Sequence, residues 1–238
     1  VKLGKLAPKR SLKSLPLSSY LHMGNVAYPP VCAWERDIAW GMLGNDTLGD
    51  CTCADVLHHL MLQTSVSHAG SPKTFTTDDA ISIYEEVGGY KVGDPSTDNG
   101  AVMLDVQNYC KKNFPVQGFV TLDIGNMEQI KAACYIFGGV DIGFNVPAYV
   151  MGVSPEGSWS DNGGDTTIEG GHAVLICGYG RSGFRVVSWG ATFTANWAFW
   201  AKYVDEAYAW VSTDWIKASG VSPSGLDLNG LLADLKAF

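Results

Sequence analysis

Two residues carry the chemistry worth testing first. Cys51 follows Gly49-Asp50 and lies in a run, Asp50 to Leu62, free of Gly and Pro. A Gly-Asp pair before such a run is a helix-start signal. Helix N-termini stabilise anions, so a thiol in the first turn is expected to ionise more readily than an ordinary cysteine. His172 follows Glu169-Gly170-Gly171 and is expected to open a buried strand, Ala173 to Cys177. The glycines before it would let another chain or a substrate come close. A thiolate, an imidazole and amide donors in one cleft attack carbonyl carbons. Against this stands the commoner fate of both residue types: most cysteines pack in cores, and a lone histidine at a strand start is by default structural.

Other constellations are weaker. Cys51, Cys53, His58 and His59 suggest a metal, but on a helix Cys51 and His58 stand roughly 10 Å apart along the axis. One zinc ion with bonds of about 2.0–2.3 Å cannot bridge that gap. The same distance removes His58 as a base for Cys51, and Cys53 faces away into the core. No metal and no cofactor is expected. The stretch Asp94 to Gly100 has the wrong Gly position for a calcium loop and no closing Glu, and reads as a turn. Trp197, Phe199, Trp200 and Tyr203 read as packing rather than as a binding stripe.

Around these residues the pattern changes along the chain. Helices are expected over 50–62, 76–86, from 100 to 110, and over 127–137. Strands follow at 140–146, 173–177, 184–189 and 207–211, with a helical stretch at 196–204 and a closing helix at 226–235. Helices first and strands after predict an α+β fold with an antiparallel sheet. The 238 residues are 46% apolar and 17% charged, which excludes wholesale disorder. A formal charge of −8 argues against nucleic acid as a partner. No apolar run is long enough to cross a membrane, and the first 20 residues lack a signal-peptide core. Six cysteines without framework spacing point to free thiols, with Cys134 and Cys177 buried.

The charge is unevenly placed. The first 34 residues hold Lys2, Lys5, Lys9, Arg10 and Lys13 and no acid, whereas the rest holds 11 bases and 24 acids. A basic arm (1–30) therefore precedes an acidic body. It reads either as a strap on that body or as an arm docking on a partner or neighbouring subunit. No feature of the arm places it across a cleft.

Several motifs, taken in order, resemble those of papain-like cysteine peptidases. Asn45-Asp46-Thr47-Leu48-Gly49-Asp50-Cys51 resembles the segment with an amide side chain six residues before the nucleophile and Gly two before it. Asp98-Asn99-Gly100-Ala101 resembles the substrate-binding turn. Gly171-His172-Ala173-Val174 to Gly180 resembles the histidine strand, and Ser188-Trp189-Gly190 the end of an Asn-Ser-Trp-Gly motif. The Gly-Asp-Cys form also resembles bacterial and prophage proteins. The resemblance implies two lobes, one mainly helical (31–137) and one mainly a β-sheet or barrel (138–215), closed by a strap and helix (216–238). It implies Cys51 as nucleophile, His172 as base, Asn45 at the oxyanion, and Gly100, Ala101 and Trp189 along a peptide or protein substrate. The chain departs from the motif at Val187, where the family has its His-orienting Asn; Ser188 takes that role if the strand slips by one residue. Asp50 places a negative charge beside the nucleophile. The implied activity is a peptidase or amidase working through an acyl-thioester, in the cytoplasm or a virion. The alternatives are an inactive binding or assembly protein on the same fold, including a virion component, and a peptidoglycan amidase.

Overall fold

The computed structural model describes residues 1–9, 11, 14–35, 37–67, 71–160, 163–219 and 226–237. Arg10, Lys13 and His68 lie outside them. The helices are α1 (Cys51–Ser67), α2 (Thr77–Gly88), α3 (Met103–Asn113), α4 (Met127–Phe137), α5 (Trp197–Tyr203), α6 (Thr213–Ser219) and α7 (Leu228–Ala237). The strands are β1 (Leu15–Pro16), β2 (Cys32–Ala33), β3 (Gly118–Thr121), β4 (Val140–Pro147), β5 (Ser158–Trp159), β6 (Ile168–Tyr179), β7 (Gly183–Ser188), β8 (Ala191–Asn196) and β9 (Val204–Val211). The fold is α+β, as the sequence implies.

Local chemistry sets the element ends. Thr76 and Asp79 form a reciprocal capping box at the start of α2, and Gly89 ends it in the left-handed region. Asn126 caps α4 and Asn196 caps α5 through their side-chain oxygens. Helix α1 turns no face to solvent over its first four turns: residues 51 to 65 are all buried, polar ones included. A helix apolar or buried all round belongs in the interior, and α1 lies between α2, α3 and α6 on one side and the sheet on the other.

The sheet runs β1-β3-β9-β4-β6-β7-β8-β5, with β2 added alongside β6. Most pairs are antiparallel, but β1–β3 and β5–β8 are parallel, so the sheet is mixed rather than purely antiparallel. Alternation along the strands divides the core. Ala173, Leu175, Cys177, Val187, Tyr208 and Trp210 face the clusters built on α1. Val174, Ile176, Val186, Ala207 and Ala209 face a larger cluster that includes α4, α5 and α7. Strand β6 begins at Ile168, earlier than expected, so His172 is its fifth residue instead of opening it. The extra residues pair with β4, Asn145 opposite Gly171 and Phe144 opposite His172.

Deep in the core, α1 meets the sheet through a polar network. His59 Nδ1 lies 2.7 Å from Asp141 Oδ1, Gln107 donates to Asp141 Oδ2, and Trp210 donates to Gln107. The rings of His59 and Trp210 stack at 4.5 Å. This ties the helix carrying Cys51 to α3, to β9 and to β4, the strand that pairs with β6 at His172.

Candidate active site

Cys51 opens α1 and is only 1% exposed. The backbone of Ala173 on β6 acts on its sulfur in the direction that favours the thiolate. The backbone of Gly4 acts in the same direction, which was not foreseen. Burial pushes the Cys51 thiol up to about 12, with the charges of Asp50 and Asp55 adding to the effect. The easy ionisation expected from the helix N-terminus is therefore overturned in this conformation. A turn of amides contributes less than the loss of water from a fully enclosed sulfur. Asp50 itself is buried, and burial raises its carboxyl to about 7.

His172 is also enclosed. Its ring stacks on Trp189 at 4.5 Å and 17°, and meets Phe144 edge-on at 5.7 Å. Burial lowers its pKa to about 3. Nε2 lies 2.8 Å from Ser188 Oγ, while Nδ1 is buried with no hydrogen-bond partner. Strand geometry decides which of Val187 and Ser188 turns toward His172. Strand β7 pairs with β6 through a register shift between Ile176 and Gly178, Val187 opposite Leu175. Val187 thus turns into the cluster with Trp40 and Leu175, and Ser188 turns to His172. Trp189 holds φ of +48°, a conformation rare for a bulky residue, and stays there packed on His172, Trp159 and Phe193.

The other named residues are drawn together by the chain's own first residues. Residues 2–6 run extended between the loop before α1, the Gly100-Ala101 turn and β6. Lys2 N donates to Asn45 O (3.1 Å), Lys5 N to Gly171 O (3.0 Å), and Leu6 N to Ala101 O (3.0 Å), while Ala101 N donates to Gly4 O (2.9 Å). The amide of Asn45 donates to the carbonyl oxygens of Lys2 (3.0 Å) and Leu48 (3.1 Å). Gly4 passes so closely between Gly49 and Gly100 that a methyl group on it would collide with the Gly49 carbonyl. At Gly100, where φ is +83°, a methyl would strike the carbonyl of Gly4. The arm's bases find the body's acids: Lys2 pairs with Asp98, Lys5 with Asp205 and Glu206, Lys9 with Asp105. Residues 2–6 therefore lie against Asn45, Gly49, Ala101 and Gly171, which was not expected, and the strap reading describes how these lysines are placed.

Other sequence candidates have structural roles here. His58 Nε2 lies 3.1 Å from Gly41 O, His59 belongs to the Asp141 network, and Cys53 is buried in the core. Among the described residues no group of three His, Cys, Asp or Glu could hold a metal ion, and no helix is long and apolar enough to cross a membrane. The residues around Asp94 form a turn with a short 3-10 helix, Asp94 capping Ser96.

No protein-family model matches the chain, and no curated protein matches it. Solved structures do. Xylellain, a cysteine protease from Xylella fastidiosa, superposes with a TM-score of 0.61 at 17% identity, over 89% of this chain and 96% of that one. A digestive procathepsin L 3 of Tenebrio molitor larval midgut gives 0.56 at 12% identity over 86% and 75%. The cysteine protease and lectin-like domains of Cwp84 from Clostridium difficile give 0.56 at 13% identity; this chain spans about half of that one, 52%, and 79% of it is covered. The likeness is one of fold: the chain has the fold of the papain-like cysteine proteases.

Proposed function

We propose that the chain is a cysteine hydrolase acting on peptide or amide bonds, held shut by its own first residues. The observation that carries this reading is the extended segment 2–6, gripped by main-chain hydrogen bonds from both walls of the cleft directly over the Cys51 sulfur. A groove that binds a strand by its backbone accepts peptides of many sequences.

In the open form, Cys51 Sγ attacks the carbonyl carbon and its proton passes to Nδ1 of His172, the ring nitrogen without a partner. The Nε2–H stays on Ser188 and fixes the tautomer. The oxyanion is held by the Asn45 amide and the Cys51 N–H, an amide with no intrahelical acceptor at the first turn of α1. The C–N bond then breaks, His172 protonates the leaving amine, and water hydrolyses the thioester with His172 again as base. Asn45 already holds the carbonyl of Lys2 in the arm, and Gly100-Ala101 already binds a strand.

A second reading, a non-catalytic binding or assembly protein, is favoured by one observation. Burial raises the Cys51 thiol and lowers the His172 imidazole, which favours the uncharged form of both while the arm is docked. Alkylation of Cys51 by iodoacetamide from pH 4 to 9, read by peptide mass on protein with the arm displaced, separates the two. Fast reaction below pH 7, abolished in His172→Ala, is the expected result. An ordinary thiol profile unchanged by that substitution refutes the hydrolase.

A further inference from the structure

One buried histidine has no part in the reaction as written. His58 is 3% exposed and lies seven residues after Cys51 on α1. At 3.6 residues per turn, seven residues are about two turns and bring a side chain back to the same face. The face of α1 that carries the sulfur therefore carries this ring as well. Its Nε2 lies 3.1 Å from the carbonyl oxygen of Gly41. A carbonyl only accepts, so Nε2 bears the proton and donates it. The ring meets Trp40 edge-on at 5.7 Å and 86°, and Trp40 is itself buried with Leu175, Cys177 and Val187. His58 thus grips the chain where it leaves this cluster and starts toward Asn45.

The four residues between that cluster and Asn45 have unusual backbone. Gly41, Leu43 and Gly44 hold φ of +69°, +52° and +94°. Left-handed backbone at a bulky residue such as Leu43 persists only where the surroundings over-determine it, and such strain gathers at functional sites. The Asn45 N–H closes the turn on Met42 O at 3.1 Å. Gly41 also forms an isolated antiparallel bridge with Gly190. The two backbones are so near that a methyl on Gly190, where φ is +71°, would come within 3.1 Å of the Gly41 carbonyl carbon. Gly190 follows Trp189, whose ring stacks on His172. One loop thus joins the amide read as the oxyanion donor to the indole that covers the imidazole, and His58 fastens it to α1.

We infer that His58 is a positioning residue for the reaction: by holding Gly41 it sets the Asn45 amide and the Trp189 indole relative to Cys51 and His172. This rests on the reading of the chain as a cysteine hydrolase. His58 touches neither the substrate nor the reacting atoms, and it acts through the loop alone. Loss of its N–H frees the first residue of a strained turn, and a small displacement of a donor aimed at an oxyanion is felt strongly in rate. The attack of the sulfur on a carbon that develops no oxyanion has no such requirement.

The test compares two reactions of the same sulfur on the whole chain. Iodoacetamide is attacked at a saturated carbon, iodide leaves, and no oxyanion forms. p-Nitrophenyl acetate is attacked at its carbonyl: a C–S bond forms, the oxyanion collapses, p-nitrophenolate leaves, and the thiol proton passes to His172. Both reagents wait for the arm to open, so the ratio of the two rates at Cys51 is free of that step. Acylation is counted as the p-nitrophenolate release that Cys51→Ala abolishes, and alkylation as the labelled Cys51 peptide. His58→Leu is expected to lower the ratio of acylation to alkylation at least about ten-fold, toward the roughly 10²–10³ lost with one oxyanion donor. His58→Gln keeps an N–H near the place of Nε2 and should stay within about three-fold of the parent. A ratio unchanged in His58→Leu overturns the proposal, and so does an equal fall in His58→Gln. Should circular dichroism show His58→Leu unfolded, Gly190→Ala presses on the same loop from its other side and must lower the ratio; no change there overturns the proposal too. A parent ratio no higher than that of free cysteine refutes the hydrolase itself, whatever the variants do.

Discussion

Gly4→Ala is the smallest change that should open the cleft. The added methyl would meet the carbonyl of Gly49, which cannot swing away because Gly49 is held by its own amide on Asp98 Oδ1 at 2.9 Å. Overpacking of this kind costs about 1–3 kcal/mol. The arm can escape the clash only by leaving, which forfeits its main-chain bonds to Gly171 and Ala101. A shift of about 1–3 kcal/mol multiplies the open fraction by roughly 5 to 150, since each 1.4 kcal/mol is about tenfold. Cys51 reacts only when uncovered, so its alkylation rate should rise by the same factor. The assay is iodoacetamide labelling at pH 7.5, quantified at the Cys51 peptide by mass spectrometry, with the other five buried cysteines as internal controls. Their rates must stay flat, which excludes general loosening. A Gly4→Ala protein whose Cys51 reacts no faster than the parent would refute the view that residues 2–6 are what shields the thiol.

Ser188→Ala removes the partner of a buried ring nitrogen and should cost about 1–3 kcal/mol in denaturant unfolding; in the Gly4→Ala background it should also slow Cys51 alkylation near neutral pH. Asp50 has a carboxyl raised to about 7 by burial, so its folded-state pKa lies above the unfolded one. Its contribution to stability is present below about pH 4 and is lost as pH rises through 7. Asp50→Asn should therefore gain stability relative to the parent between pH 5 and 8, by at most on the order of 4 kcal/mol, and a melting difference that stays constant with pH refutes this. His58 and His172, lowered to about 4 and about 3 by burial, work in the other direction: the stability they contribute is present above pH 6.5 and lost between there and about pH 3, which melting curves across pH 3–7 check. Asp141→Ala leaves His59 and Gln107 without their buried acceptor and should cost about 3–5 kcal/mol by chemical denaturation.

Local signals were the legible part of this sequence. Thr76-Thr77-Asp78-Asp79 and Gly88-Gly89 act within one turn of chain, so α2 could be read where it occurs, whereas α6 was not read at all. The start of α1 at Cys51 was likewise legible, from the Gly-Asp pair before it. What escaped was set by distant pairing. The register shift that turns Ser188 rather than Val187 toward His172 depends on how β7 meets β6. The bulge in β9 that aims both Asp205 and Glu206 at Lys5 depends on β4. The path of the arm depends on glycines 49, 100 and 171, which mark open backbone but do not say which segment will fill it. The thiol expectation failed for the same reason: the helix start was visible, and the lid over it was not.

The direction of the docked segment has a consequence of its own. Lys5 meets Ala101 as a parallel bridge, and the backbone of Gly4 acts on the sulfur in the direction of an N–H donor. A nucleophile needs an electrophilic carbon, and an amide hydrogen gives it none. The segment thus satisfies the groove as a ligand while failing as a reactant. On the hydrolase reading, its polarity more than its composition protects a peptide bond of the chain's own.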